Sequence, residues 1–147
     1  MAKRASAPPQ GNVYLSRRYR FAATHRLYAD ELSELKNQEI FGKCANPNGH
    51  GHNYQVYVTV AGQIDPVTGM SVDLGKLDAV VQRKVISIYD HRHLNLDVED
   101  YLDEVPTAEN IVRRIWERLD GKIPGAKLHK VRLVETRDNA FEYTGGK

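Results

Sequence analysis

Two histidines set two residues apart, His50 and His52, open an alternating apolar run, and the only cysteine, Cys44, lies shortly before them. Side chains at i and i+2 of a strand point to one face, so His50 and His52 can offer two imidazoles to one metal ion. His25 is the candidate third ligand, because it ends another alternating segment whose odd positions carry Val13, Leu15, Tyr19, Phe21 and Ala23. Three imidazoles with no fourth protein ligand leave a position open to water or substrate. That is the usual layout of catalytic zinc, whereas structural zinc recruits thiolates. Gly49 and Gly51 flank His50 and permit close backbone approach where the loop meets the strand. The plainer reading, a turn with surface histidines, is weakened by the third histidine and the nearby thiol.

Other groups can do chemistry too. A single cysteine forms no internal disulfide, so Cys44 is either a buried apolar filler or a reactive thiol. Asp90 and His91 fall where a long helix should stop, and a helix C-terminus stabilises an imidazolium. Such a histidine can exchange protons near neutral pH with a carboxylate fixing its tautomer; a helix cap with a dipole-compensating histidine is the simpler account. Glu135 shares strand parity with Val131 and Leu133, which puts a carboxylate on a face that should be buried. It can accept two parallel N–H bonds from a planar ligand or from an internal arginine. Glu109 is explained as a dipole complement in the first turn of its helix, and Thr107 as that helix's cap. Arg17, Arg18, Arg20, Arg26 and Lys43 cluster near the histidines in sequence and could draw in an anion, or simply coat a solvated strand face. His93 and His129 have no distinguishing context.

The elements that must position these groups follow from periodicity. Residues 1–12, with Pro8, Pro9 and Gly11, read as a loose tail, and 13–147 as one domain. Residues 13–25 and 52–62 alternate as strands, the second with Tyr54, Val56, Val58 and Val60 on the parity of His52. Leu32, Leu35 and Ile40 suggest a short helical insertion between them. Asp65–Gly69 forms a turn, Asp73 caps a helix that runs to Tyr89, and a second amphipathic helix carries Ile111, Val112, Ile115, Trp116 and Leu119. Residues 128–136 and 140–144 supply two more strands. The order β-β-α-α-β-β argues for an α+β fold, a four-stranded antiparallel sheet with two helices on one face. Such a sheet has two open edges, and joining them between subunits into a larger barrel is the expected remedy.

Composition sets the outer bounds. The chain has 147 residues, a soluble protein's balance of apolar and charged residues, and a formal charge of +2, too small to point to nucleic acid. No apolar run is long enough to span a bilayer and the N-terminus lacks a signal peptide's apolar core, so a cytoplasmic protein without a membrane partner is expected.

Phe41–Tyr54 (FGKCANPNGHGHNY), Ser16–Arg17–Arg18, Ile64–Met70 (IDPVTGM), Asp90–His91, Pro106–Asn110 (PTAEN) and Val134–Thr136 (VET) together resemble the 6-pyruvoyltetrahydropterin synthase family over residues 13–144. The resemblance implies a tunnelling fold, in which trimers close a β-barrel and two trimers stack into a homohexamer with active sites between subunits. It implies conversion of 7,8-dihydroneopterin triphosphate to 6-pyruvoyltetrahydropterin in tetrahydrobiopterin synthesis, with triphosphate eliminated and no external redox cofactor. By position, His25, His50 and His52 match the family's zinc ligands, Cys44 its general base, and Asp90 with His91 the rest of its catalytic triad. Glu135 matches the anchor of the pterin ring, and Thr107 and Glu109 a segment of the pterin pocket. Five residues separate Cys44 from His50, as in pyruvoyl-forming relatives, where 6-carboxytetrahydropterin synthases of deazapurine synthesis typically have three. Side-chain-cleaving relatives in folate synthesis tend to carry glutamate in place of the cysteine. The Pro106–Thr107–Ala108–Glu109 wording is nearer the carboxy-forming enzymes, which makes that chemistry the alternative. A noncatalytic zinc- or pterin-binding oligomer is the third reading, and Cys44 with Asp90 and His91 counts against it.

Overall fold

The computed structural model describes residues 11–146, so all but Gly11 and Asn12 of the expected tail lies outside the described residues, as does Lys147. β1 (Val13–His25) and β2 (His50–Gly62) pair antiparallel along their full lengths. β4 (Lys127–Thr136) pairs with β2, and β5 (Asn139–Tyr143) with β4, both antiparallel. The expected four strands are five. A two-residue strand, β3 (Arg92–His93), joins β1 in parallel and gives the order β3-β1-β2-β4-β5. Two residues are too few to show alternation, and this pairing is set by the turn before it, where the His91 N–H donates to Ala22 O at 2.6 Å.

Alternation assigns one face of the sheet to the core. Phe21 and Ala23 of β1, Tyr54, Val56, Val58 and Val60 of β2, and Val131 and Leu133 of β4 are all buried. The β2–β4 register shifts at Thr59/Val60, leaving His129 as an extra residue, so Leu128 joins Val131 on the buried face despite its opposite parity. Against this face lie α2 (Leu74–Val81), a wider π turn (Gln82–Ile86), α3 (Ser87–Tyr89) and α5 (Ala108–Leu119). Asp73 and Thr107 cap α2 and α5, accepting from the N–H groups of Lys76 and Asn110. The helices thus cover one face only, as expected. A short α4 (Leu94–Asp97) and a tight turn at Glu99–Tyr101 occupy the acidic link.

The insertion after β1 does form a helix, α1 (Glu34–Phe41), but its apolar spacing marks no buried face: Leu35 is 81% and Ile40 55% exposed. The residue it buries is Asn37. That amide accepts from Ala29 N and donates to the carbonyls of Ala29, Leu32 and Ser33, so a satisfied polar side chain organises the segment instead of an apolar stripe.

Candidate metal centre and active site

The β1–β2 register sets His25 directly opposite His50, with Ala23 opposite His52. Ring centroids are 4.8 Å apart for His25 and His50, 5.0 Å for His25 and His52, and 4.7 Å for His50 and His52, with every pair of planes 76° to 86° apart. One nitrogen from each ring lies within 4.8 Å of the others. Gly49 makes the corner possible. Its φ is 72°, and a Cβ there would stand 2.6 Å from the His25 carbonyl oxygen.

The donor set suits a metal in both tautomer and spacing. His25 is fully buried and its Nδ1–H donates to Pro106 O at 2.9 Å, which fixes the tautomer and leaves a lone pair on Nε2. Nε2 of His25 lies 3.3 Å from Nε2 of His50. Two nitrogens sharing a tetrahedral ion at zinc–imidazole bond lengths sit about 3.3 Å apart, so the pair has a metal's spacing. His25 is lowered to about 4: burial lowers it most, the Pro106 bond opposes this, and the neighbouring histidines add to the lowering. Burial also lowers His50 and His52. All three are neutral at pH 7, the form that ligates.

Glu135 extends the buried row of β4, and its Oε2 lies 3.9 Å from Nε2 of His25 and 4.0 Å from Nε2 of His52. Burial raises its pKa; His50 opposes this and the Glu109 carboxylate adds to it. No arginine pairs with Glu135 among the described residues; the groups facing its carboxylate are His25 and His52, both lowered below the ordinary histidine value. Cys44 sits in a tight turn at Gly42–Ala45, half-buried, with its carbonyl accepting from Leu27 N at 2.7 Å. Burial and then Glu135 raise its thiol. Thr107 and Glu109 begin α5, and the Pro106 carbonyl just before them is the one that holds His25.

Asp90 and His91 stand elsewhere, at the edge of β1. The Asp90 carboxylate accepts from Ala22 N at 2.9 Å, and His91 has a φ of 60° with its Nε2 3.6 Å from Asp90 and its side chain 83% exposed. No contact among the described residues links either to Cys44. The basic cluster also disperses. Arg17 is bound to Asp78, alternation turns Arg18 and Arg20 to the opposite face, and Arg26 lies over Tyr28 with Nε donating to Ala45 O. Sequence reading missed three neighbours of the centre. Pro106 acts through a backbone carbonyl that carries no side-chain signature. The Tyr54 hydroxyl, 3.3 Å from His25 Nδ1, was already signalled by its parity with His52. His93, whose Nε2 is 3.4 Å from where a Gly49 Cβ would sit, depends on the unforeseen β3.

Comparison with known proteins places this arrangement. Residues 14–146 match the family model described as 6-pyruvoyl tetrahydropterin synthase. The chain is 46% identical to the 6-pyruvoyl tetrahydrobiopterin synthase of Homo sapiens over 131 residues, 89% of this chain and 90% of that one. It is 40% identical to the Poecilia reticulata protein of the same name over 146 residues, 99% of each. The solved structure of Caenorhabditis elegans 6-pyruvoyl tetrahydropterin synthase superposes with a TM-score of 0.85 at 40% identity, covering 92% of this chain and 96% of that one. A five-stranded sheet with helices on one face, matched over nearly its whole length to relatives of one kind, is a tunnelling fold, and the chain belongs to the 6-pyruvoyl tetrahydropterin synthase family of enzymes.

Proposed function

We propose that this chain is a zinc-dependent enzyme that converts 7,8-dihydroneopterin triphosphate into 6-pyruvoyltetrahydropterin with elimination of triphosphate. The observation that carries this reading is the convergence of three neutral imidazoles beside the half-buried Glu135 carboxylate, in a chain similar to enzymes named for that product. His25, His50 and His52 would hold the ion, which supplies Lewis acidity that makes substrate protons easier to remove. Glu135 accepts the planar N–H edge of the pterin ring in two parallel bonds, and those donors favour its ionised form against the burial that now opposes it. Cys44 takes protons from the substrate side chain, against the burial and the Glu135 charge that raise its thiol. Thr107 and Glu109, at the start of α5, would contact the pterin as well, and the Glu109 carboxylate is near enough to act on Glu135.

His91 supplies the complementary acid, with Asp90 fixing its ring. These two lie at the strand edge away from Cys44, which supports an active site shared between subunits of a homohexamer, a dimer of trimers closed through the sheet edges. A cytoplasmic location is part of the same proposal. No helix among the described residues is long and apolar enough to cross a membrane.

Incubation of the zinc-loaded protein with 7,8-dihydroneopterin triphosphate tests the reading. Release of triphosphate with 6-pyruvoyltetrahydropterin as product is the expected result. A 6-carboxytetrahydropterin product would transfer the site to the alternative chemistry, and bound pterin without triphosphate release would make the chain a binding module.

A further inference from the structure

Four polar side chains, two of them buried and two partly buried, meet close to the Asp90–His91 turn. Tyr89 and Tyr101 are 0% and 2% exposed, yet both carry hydroxyls. The Tyr101 hydroxyl donates to the Tyr89 hydroxyl at 2.9 Å, and the Tyr89 hydroxyl donates to Asp100 Oδ2 at 2.7 Å. Arg118 closes the network with a fork, its Nε and Nη2 donating to Asp100 at 2.7 and 2.8 Å. A third donor of the same guanidinium, Nη1, reaches the Lys84 carbonyl at 3.3 Å, within the π turn that precedes α3. Three separate segments are therefore tied together: the end of the α2–α3 helical run, the Glu99–Tyr101 turn and α5.

Replacing a buried ion pair by well-packed apolar residues is often neutral for stability, so stability alone does not account for such a network. What the polar network adds is a fixed geometry. Tyr89 is the residue immediately before Asp90. Its ring packs edge-on against Phe21 at 5.5 Å, one residue from the Ala22 that both Asp90 and His91 bind. His91 is the only non-glycine with positive φ among the described residues. A residue held in that sparsely populated region persists only where its surroundings over-determine it, and such strain collects at functional sites. The π turn is a second irregularity in the same helical run, of a kind frequent at functional sites, and Arg118 satisfies a carbonyl within it.

We propose that Tyr89, Asp100, Arg118 and Tyr101 form a positioning device that holds the Asp90–His91 turn in its strained geometry for proton transfer. This inference rests on the proposed role of Asp90 and His91 in the reaction. The four residues touch no substrate atom; they act through the backbone of residue 89.

Tyr89→Phe is the sharpest test, because it keeps the ring and removes only the hydroxyl. Arg118→Lys is the second variant, keeping the cation and losing the fork. Both are assayed with zinc bound, well below their melting temperatures, beside Asp90→Asn and His91→Asn. The expected result is a kcat reduced roughly tenfold or more, the scale set by small misplacements of reacting groups, with KM and bound zinc unchanged within about twofold. Hydrogen exchange of the His91 amide should also accelerate, while exchange in β2 stays as it was. A plain packing role would lower the melting temperature and leave kcat and the His91 amide unmoved, and that outcome overturns the proposal. If Tyr89→Phe is silent while Asp90→Asn and His91→Asn are inactive, the network fails alone. If Asp90→Asn and His91→Asn both keep full activity, the proton-transfer reading and the network fall together.

Discussion

Two expectations belong to single residues. Cys44 is not among the converging ligands, so Cys44→Ala should retain stoichiometric zinc while turnover falls by roughly 10²- to 10⁴-fold, the usual share of a general base. His50→Ala should lose both. Metal analysis beside a triphosphate-release assay separates these outcomes, and full activity in Cys44→Ala would remove the thiol from the mechanism. The histidines also make the metal-free protein sensitive to acid. Their folded pKa values lie below the ordinary 6.5, so between that value and about 4 the unfolded chain binds protons that the folded chain refuses. Stability is therefore full above pH 6.5 and falls as pH drops toward 4, with His25 alone contributing roughly 3 kcal/mol across the window. Urea unfolding of the metal-free protein at pH 7, 5.5 and 4.5 checks this. A midpoint that does not move would contradict the burial of a neutral His25.

At the scale of the element, the β1–β2 corner depends on Gly49 and not on its neighbour. Gly49→Ala forces a side chain into positive φ, which costs about 1–2 kcal/mol before any clash with the His25 carbonyl. Gly51→Ala meets only ordinary contacts, the nearest being Thr24 Oγ1 at 3.5 Å. Zinc titration should find the first variant impaired in metal binding and the second close to the parent; equal affinities would mean that the corner is not what holds His25 against His50. The same corner shows what could be read in advance. His50 and His52 were legible because a strand's period of two puts them on one face, and His25 because it closes an apolar row of the same kind. Glu135 was legible by parity with Val131 and Leu133. Alternation says nothing of β3, which is two residues long, nor of the Pro106 carbonyl. The π turn at Gln82–Ile86 keeps the apolar spacing of an ordinary helix, so it too was hidden. The helix α1 was legible from its spacing, but the Asn37 hydrogen bonds that hold the segment were not.

The whole molecule leaves sheet edges for others to use. Among the described residues β3 covers β1 only at Ala23 and Thr24, leaving most of one long strand without a partner on that side, and β5 has none on the other. Light scattering of the purified protein should therefore report a hexamer; a monodisperse monomer at micromolar concentration would contradict the shared active site. The centre likewise exists only in the folded whole. Its three imidazoles come from two strands and their orientation from the turn before α5, 81 residues beyond His25 in the chain. Anomalous diffraction from crystals of the zinc-loaded protein, collected above and below the zinc edge, tests that convergence most directly. The account requires one peak bonded to the ring nitrogens of His25, His50 and His52. A map with no peak among the three rings, or with zinc held by other residues, would contradict it.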